Sequence, residues 1–222
     1  MAKKTAGSLS LKAENGKAIW LLVSGDIVVI VLVLTGFAFT QASLSELAQS
    51  AFVRGLLFAA AGPLVAGFLN DLLPSNAKAS IVFWRLNDAL PGHRAFSKYA
   101  DADPRIDIAA LKKKIGEFPQ SARDQNICWY RLFQKHQSNV IVNDAHKRFL
   151  LFRDSSSLTI LILVIAGMAA VLAGVPFGLQ ALLVGGLAVQ FLWLALSARN
   201  TGIRLVQNVL ALESSDDGGK KK

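Results

Sequence analysis

Long apolar blocks alternate with charged stretches along the chain, and this alternation predicts membrane-spanning helices. A transmembrane helix needs about 20 mainly apolar residues, and four segments qualify: residues 19–39, 52–73, 158–175 and 178–198. The first contains Asp26 and is too long for the apolar part of a cleaved signal peptide, so we interpret it as a retained span. The pattern therefore predicts two helical hairpins, separated by a polar segment.

The polar segment, residues 75–154, is predicted to form a mainly helical domain, with turns near residues 91–93, 101–104 and 116–120. Ser121 and Asp124 have the spacing of a capping box at a helix start. The helix that follows has one apolar face, made of Trp129, Leu132, Phe133 and His136. Ile141, Ala145, Phe149 and Phe152 predict another helix, which continues into the third span, although a short strand at residues 140–142 also fits.

The distribution of positive charge predicts the orientation. The chain has 222 residues and a net charge of +9, with 24 lysines and arginines. Four precede the first span, 14 lie between the second and third, five follow the fourth, and Arg54 is the remaining one. The short loops within the two hairpins have none. Because lysine and arginine are retained in the cytoplasm, both termini and the central domain are expected to be cytoplasmic, in a protein of the plasma (inner) membrane.

The predicted fold class is thus an all-α integral membrane protein, with four transmembrane helices as two hairpins flanking a helical cytoplasmic domain. Residues 1–18 are expected to form a cytoplasmic N-terminal tail. Residues 199–212 have apolar positions at helical spacing, which predicts an amphipathic juxtamembrane helix. Residues 213–222 lack apolar content and are expected to be disordered.

One polar layer is predicted inside the membrane. Counting inward at 1.5 Å per residue places Asp26 and Gln190 at a common depth of roughly 10 Å, where Gly67 and Gly167 allow neighbouring helices to approach. Two interpretations remain open. The layer lines a polar cavity that admits water or a cation, or a hydrogen bond between Asp26 and Gln190 fixes the register of the bundle.

Small residues recur every four positions on the third span, at Ala166, Ala170 and Gly174. Such a stripe indicates a helix-packing face. The pattern does not distinguish packing within one chain from packing between subunits.

Basic residues interleaved with aromatic residues indicate an anion-binding or lipid-headgroup surface on the cytoplasmic domain. The candidates are Arg85, Arg94, Arg131, Lys147 and Arg148. Anionic lipids attract such side chains beside a membrane, and guanidinium groups beside aromatic rings can also hold a phosphorylated ligand. Nucleic acid is the least favoured of the three partners.

No catalytic constellation stands out. The three histidines lack a metal-ligand neighbour, the single Cys128 excludes an internal disulfide, and no phosphate-binding loop is present. Asp101, Asp103 and Asp107 are compatible with a cation site or with a solvated turn that caps the next helix. We expect no metal and no cofactor.

Two function classes therefore remain in view, and enzymatic activity is left uncertain. The first is a membrane effector or channel-like protein, acting as a homo-oligomer, whose cytoplasmic domain senses a ligand or partner. The second is a non-catalytic scaffold or accessory subunit that docks a cytoplasmic protein. A lipid-modifying membrane enzyme ranks third.

Overall fold

The computed structural model describes residues 11–34 and 66–216, and all regular structure in these ranges is helical. In chain order the elements are α1 (Leu11–Leu34), α2 (Ser75–Phe83), a 3₁₀ turn (Pro91–Arg94), a π-helical turn (Ala95–Tyr99), α3 (Ile108–Ile115), α4 (Ala122–His136), α5 (Val140–Leu172) and α6 (Phe177–Ser215). Residues 66–72 are helical as well. The strand considered at residues 140–142 is replaced by the first turn of α5.

Three of the described helices are long and apolar enough to cross a membrane: Glu14–Leu34, Val140–Leu172 and Phe177–Ser215. They contain the first, third and fourth spans expected from the sequence, except that residues 35–39 lie outside the described part. Most of the second span, residues 52–65, also lies outside it. An all-helical protein with three candidate spans is therefore what the described residues show.

Two helices extend beyond the predicted boundaries. Helix α1 begins at Leu11, within the stretch expected to be a tail, and α6 continues without a break through residues 199–212. The expectation of disorder from residue 213 onwards is wrong for residues 213–215, because these complete α6 and the side chains of Glu213 and Ser214 are buried. The physical reason is a set of ion pairs to Glu213, described below, which local composition does not reveal.

The chain divides into two compact units. The first unit comprises the described residues among Met1–Pro74 and Arg153–Leu194, and the second comprises those among Ser75–Phe152 and Ala195–Lys222. In the first unit, many large apolar side chains are exposed while several polar ones, such as Asn15, Asp26 and Asp154, are buried. Exposed examples are Val29, Phe68, Ile165, Met168, Leu182, Val189 and Trp193. This distribution is the reverse of that in a water-soluble domain, and it suits a lipid surrounding.

The second unit has an ordinary apolar core. Phe83, Phe96, Leu111, Phe133, Val142, Phe149 and Val206 are among its buried members. Helix α5 contributes Val142, Ala145 and Phe149, whereas Ile141, expected on this face, is 57% exposed. The apolar face of α5 is therefore offset by one residue at its start.

Capping residues begin two helices of the second unit where the sequence predicts them. The Asp107 carboxylate accepts a hydrogen bond from the backbone N–H of Ala110 at 2.9 Å, and Ser121 Oγ accepts from the N–H of Asp124 at 3.0 Å. Asp103, in the same acidic stretch as Asp107, pairs with Arg105 at 2.7 Å. The hydrogen bonds from Arg105 lower the pKa of the Asp103 carboxyl. Two of the three acidic residues therefore have local structural roles.

Candidate functional site: a buried polar cluster in the first unit

The centre of the candidate site is a hydrogen-bonded pair on α1 and α6. Gln190 Nε2 donates to both carboxylate oxygens of Asp26, at 3.0 and 3.1 Å. The same amide donates a longer hydrogen bond, 3.4 Å, to Thr159 Oγ1 on α5. Asp26 is 7% exposed and Thr159 is fully buried. One amide thus links polar side chains of three helices.

Helix α5 adds a run of buried polar residues next to Thr159. All seven residues from 153 to 159 are buried, and six of them are polar: Arg153, Asp154, Ser155, Ser156, Ser157 and Thr159. Because consecutive residues cover every direction around a helix, α5 is enclosed on all sides over about two turns. We call Ser24, Asp26, Thr159, Gln190 and residues 153–157 the polar cluster.

Two members of the polar cluster form an ion pair. Arg153 donates to Asp154 Oδ1 from Nε at 2.9 Å and from Nη2 at 2.8 Å. Both side chains are almost completely shielded from solvent. Each charge neutralises the other, and a buried charge in an apolar environment is strongly destabilising without such a partner.

The serine hydroxyls differ in how they are satisfied. Ser157 Oγ donates to the carbonyl oxygen of Arg153 at 2.9 Å, one helical turn earlier. The hydroxyls of Ser24 and Ser156, by contrast, are buried and make no hydrogen bond with the residues that the structure describes, 11–34 and 66–216. Buried polar atoms are satisfied by protein or by ordered water in most proteins. These two hydroxyls therefore mark positions where a water molecule or a solute would gain hydrogen bonds.

A cavity of about 300 Å³ opens beside the polar cluster in the first unit. Its wall includes Asp154 together with Asn15, Trp20 and Asn70. Gly16 and Gly67 also line it, and an added Cβ at either glycine would meet no atom within 4 Å. Because the two glycines have no side chains, the cavity stays open beside the polar side chains of Asn15, Asn70 and Asp154.

The glycines and alanines singled out from the sequence occupy different places. Gly67 lines the cavity, whereas Gly167 faces Val184 of α6, with 3.5 Å between a hypothetical Cβ and Val184 Cγ2. Ala166 and Ala170 are buried, as a packing stripe requires. Gly174 lies beyond the end of α5 and has φ +66°, so it serves the turn into α6.

The basic residues proposed as one anion or headgroup surface make separate local contacts in the second unit. Arg94 donates to the carbonyl oxygens of Asp88 and Ala89, and Arg148 pairs with Asp144 one turn earlier on α5. Arg85 and Arg131 are exposed. The single anion-binding or lipid-headgroup surface that these residues and Lys147 were expected to share stays a prediction.

A second cluster of charged groups lies in the second unit. Atoms of His136, Glu213 and Asp216 lie within 4.8 Å of one another, a spacing that a metal ion can bridge. Lys135 Nζ already contacts both carboxylates, at 2.9 Å each. These hydrogen bonds raise the pKa of Lys135, and the ammonium in turn lowers the pKa of Asp216. The Lys135 ammonium thus occupies the place beside the two carboxylates that a metal ion would take. The arrangement is an ion-pair network that fixes the end of α6.

Sequence reasoning found Asp26 and Gln190 but not the rest of the polar cluster. Arg153 and Asp154 fall at the end of the predicted cytoplasmic domain, and residues 155–157 fall between it and the third span, because arginine, aspartate and serine are typical of exposed segments. The sequence does contain a pattern that indicates a polar cluster, since three serines and a threonine lie within the five residues 155–159, where the apolar run begins. Helix geometry alone does not tell whether such a run is enclosed.

No protein-family model, no curated protein and no solved structure matches the chain.

Proposed function

We propose that the chain is a four-span integral membrane protein that acts as a channel-like effector and assembles as a homo-oligomer. In this proposal both termini and the second unit are cytoplasmic, and the second unit senses a ligand or partner. The charge distribution supports the orientation, since the loops within the hairpins lack lysine and arginine. The exposed apolar surface of the first unit supports its position in lipid.

The polar cluster carries the functional part of the proposal. Burying Asp26, Thr159 and a serine run inside a lipid-facing helical unit costs free energy, and polar groups at such depth usually serve a function. The hydroxyls of Ser24 and Ser156 supply the decisive observation, because they have no hydrogen-bond partner in the described part of the chain. A cluster that only fixed helix packing would gain by satisfying them or by replacing them with alanine.

The chemistry of the polar cluster suits water and small cations. Carboxylate and hydroxyl oxygens replace part of the hydration shell of a cation, and Asp26 offers two carboxyl oxygens beside the neutral amide of Gln190. The polar residues of α5 extend from Arg153 to Thr159, about 9 Å along the helix axis. A solute entering the cluster would therefore find successive oxygen ligands rather than a single site.

The experiment compares two neighbouring serines. Ser156→Ala removes a hydroxyl that has no partner among the described residues, and Ser157→Ala removes one that bonds to its own helix. Cation flux is measured in vesicles that contain the purified protein, and membrane depolarisation is measured in cells that express it. We expect Ser156→Ala and Asp26→Asn to reduce flux several-fold, while Ser157→Ala retains it and all three variants remain folded. Wild-type protein that conducts in neither assay would contradict the proposal.

A docking role is the second candidate, and the exposed start of α5 favours it. Val140 and Ile141 are 80% and 57% exposed although both are apolar. Under this alternative they form part of a surface for a cytoplasmic protein, and nothing crosses the bilayer. Substituting both by serine would then weaken partner capture from cells, whereas Ser156→Ala would have no effect on capture or on membrane potential.

A further inference from the structure

Residues 84–88 form a loop of the second unit that presents two large apolar side chains outward. Leu86 is 93% exposed and Trp84 is 55% exposed. Helix α2 ends just before this loop, at Phe83, so the two side chains are not part of a helix face. Exposed apolar side chains that lie together are typical of an interaction site.

The backbone of the 84–88 loop is held in an unusual conformation. Trp84 and Asp88 have φ of +53° and +48°, in the left-handed region that residues other than glycine rarely adopt. Such strain persists where the surroundings fix it, and it is common at functional sites.

Two neighbouring side chains fix the end of the 84–88 loop. Arg94 donates to the carbonyl oxygens of Asp88 and Ala89 at 2.9 and 3.2 Å. His93 Nδ1 lies 3.2 Å from Asp88 Oδ1. Trp84 and Leu86 are therefore exposed in a loop whose conformation is fixed by the contacts of Arg94 and His93.

Arg199 indicates the depth of the 84–88 loop relative to the membrane. It directly follows the apolar residues 178–198 on the uninterrupted helix α6, so it belongs at the membrane–water boundary, where arginine is favoured. Its guanidinium lies 4.5 Å from the centre of the Trp84 ring. Trp84 is thereby placed at the same depth, and tryptophan is enriched at this level of a bilayer.

We propose that the 84–88 loop is a lipid anchor, which inserts Trp84 and Leu86 at the boundary between the headgroups and acyl chains of the adjacent leaflet. The exposed Arg85 and the Arg199 guanidinium provide positive charge for lipid phosphates at this depth. The inference rests on the proposed membrane position of α6. It does not require ion flux or a particular orientation, so it fails independently of the channel proposal.

Spin labels at matched positions test the anchor in the full chain. Leu86→Cys and Val140→Cys are each introduced with Cys128→Ala, labelled, and reconstituted in vesicles of phosphatidylethanolamine and phosphatidylglycerol. Both sites are apolar, highly exposed and within the second unit. Val140 lies 18 residues before Leu158, the start of the apolar run, which is roughly 27 Å along α5. It therefore serves as a control outside the bilayer.

Collision of the label with oxygen and with a water-soluble nickel complex is measured at each site. We expect the ratio of oxygen to nickel accessibility to be several-fold higher at position 86 than at position 140, because oxygen concentrates in lipid. High nickel accessibility at position 86 would place the loop in water and overturn the proposal. Low accessibility to both reagents would overturn it as well, because the loop would then be covered by protein, such as a second copy of the chain.

Discussion

At the scale of single residues, the second unit depends on close approach at Gly92. A Cβ at this position would lie 2.7 Å from Trp129 Cε3 and would collide with Asn126 Oδ1. Both neighbours belong to α4, whose N-terminal turns pack against the 3₁₀ turn that contains Gly92. No positive φ is involved, so the requirement for glycine is one of space.

We therefore predict that Gly92→Ala destabilises the protein by about 1–3 kcal/mol, the usual cost of inserting an extra group into a packed site. Thermal unfolding in detergent, followed by circular dichroism, measures the change. Gly178→Ala is the control, because a Cβ there meets no atom within 4 Å. Equal unfolding temperatures for the two variants would show that the contact at Gly92 relaxes without cost.

At the scale of elements, the π-helical turn depends on one buried side chain of α4. Gln125 Oε1 accepts hydrogen bonds from the N–H of Phe96 at 3.2 Å, from the N–H of Ser97 at 3.1 Å and from Ser97 Oγ at 3.1 Å. Backbone donors at the start of a helical turn lack partners within the turn. Gln125 supplies one, and this explains why a polar residue is 3% exposed in an apolar core.

Replacing Gln125 with methionine keeps the side-chain length and removes the acceptor. We predict a loss of stability of about 1–3 kcal/mol, because buried donors are left unsatisfied. Hydrogen exchange of the amides of residues 96 and 97 should accelerate at the same time. Gln134→Met on the exposed face of α4 provides the matched control. Unchanged exchange at both amides would exclude this role of Gln125.

The C-terminal end of α6 also depends on contacts distant in sequence. Glu213 accepts hydrogen bonds from Lys135 at 2.9 Å and from His136 at 2.6 Å, and Lys114 donates to the carbonyl oxygens of Glu213, Ser214 and Asp216. Lysine near a helix C-terminus also interacts favourably with the helix dipole. These partners lie on α3 and α4.

We predict that Glu213→Ala lowers the free energy of unfolding by about 1–3 kcal/mol, since the bonds lost involve charged groups and Glu213 is buried. The comparison is Glu117→Ala, which removes an exposed ion pair of 3.7 Å to Lys112. That change should cost less than about 1 kcal/mol. If the two variants unfolded alike in denaturant titrations, the network at Glu213 would have no stabilising role.

The sequence predicts a helix and its boundaries where the residues that determine them are close together in the chain. The caps at Asp107 and Ser121 require only spacing within one turn, and the apolar runs identify the three described helices that are long and apolar enough to span a membrane. The helical end at Glu213 was missed because its partners lie more than 70 residues away. Ser156 was missed for a similar reason. A serine becomes part of a buried polar cluster only when neighbouring helices enclose it, and composition does not reveal that enclosure.

At the scale of the whole molecule, the proposed orientation gives the most direct test of the membrane assignment. Phe177 is 83% exposed and begins α6, directly after the turn that follows α5. This hairpin loop lacks lysine and arginine, so the proposal places it outside the cytoplasm. Val140, at the start of α5, belongs to the region of 14 basic residues and is placed inside.

We predict that a membrane-impermeant maleimide labels Phe177→Cys in intact cells, and labels Val140→Cys only after the membrane is permeabilised. Both variants carry Cys128→Ala to remove the native thiol, whose pKa is in any case raised by burial. Their high exposure makes the two sites comparably reactive once the reagent has access. Labelling of Val140→Cys but not Phe177→Cys in intact cells would invert the topology. Labelling of neither site, even in permeabilised cells, would show that another protein covers both.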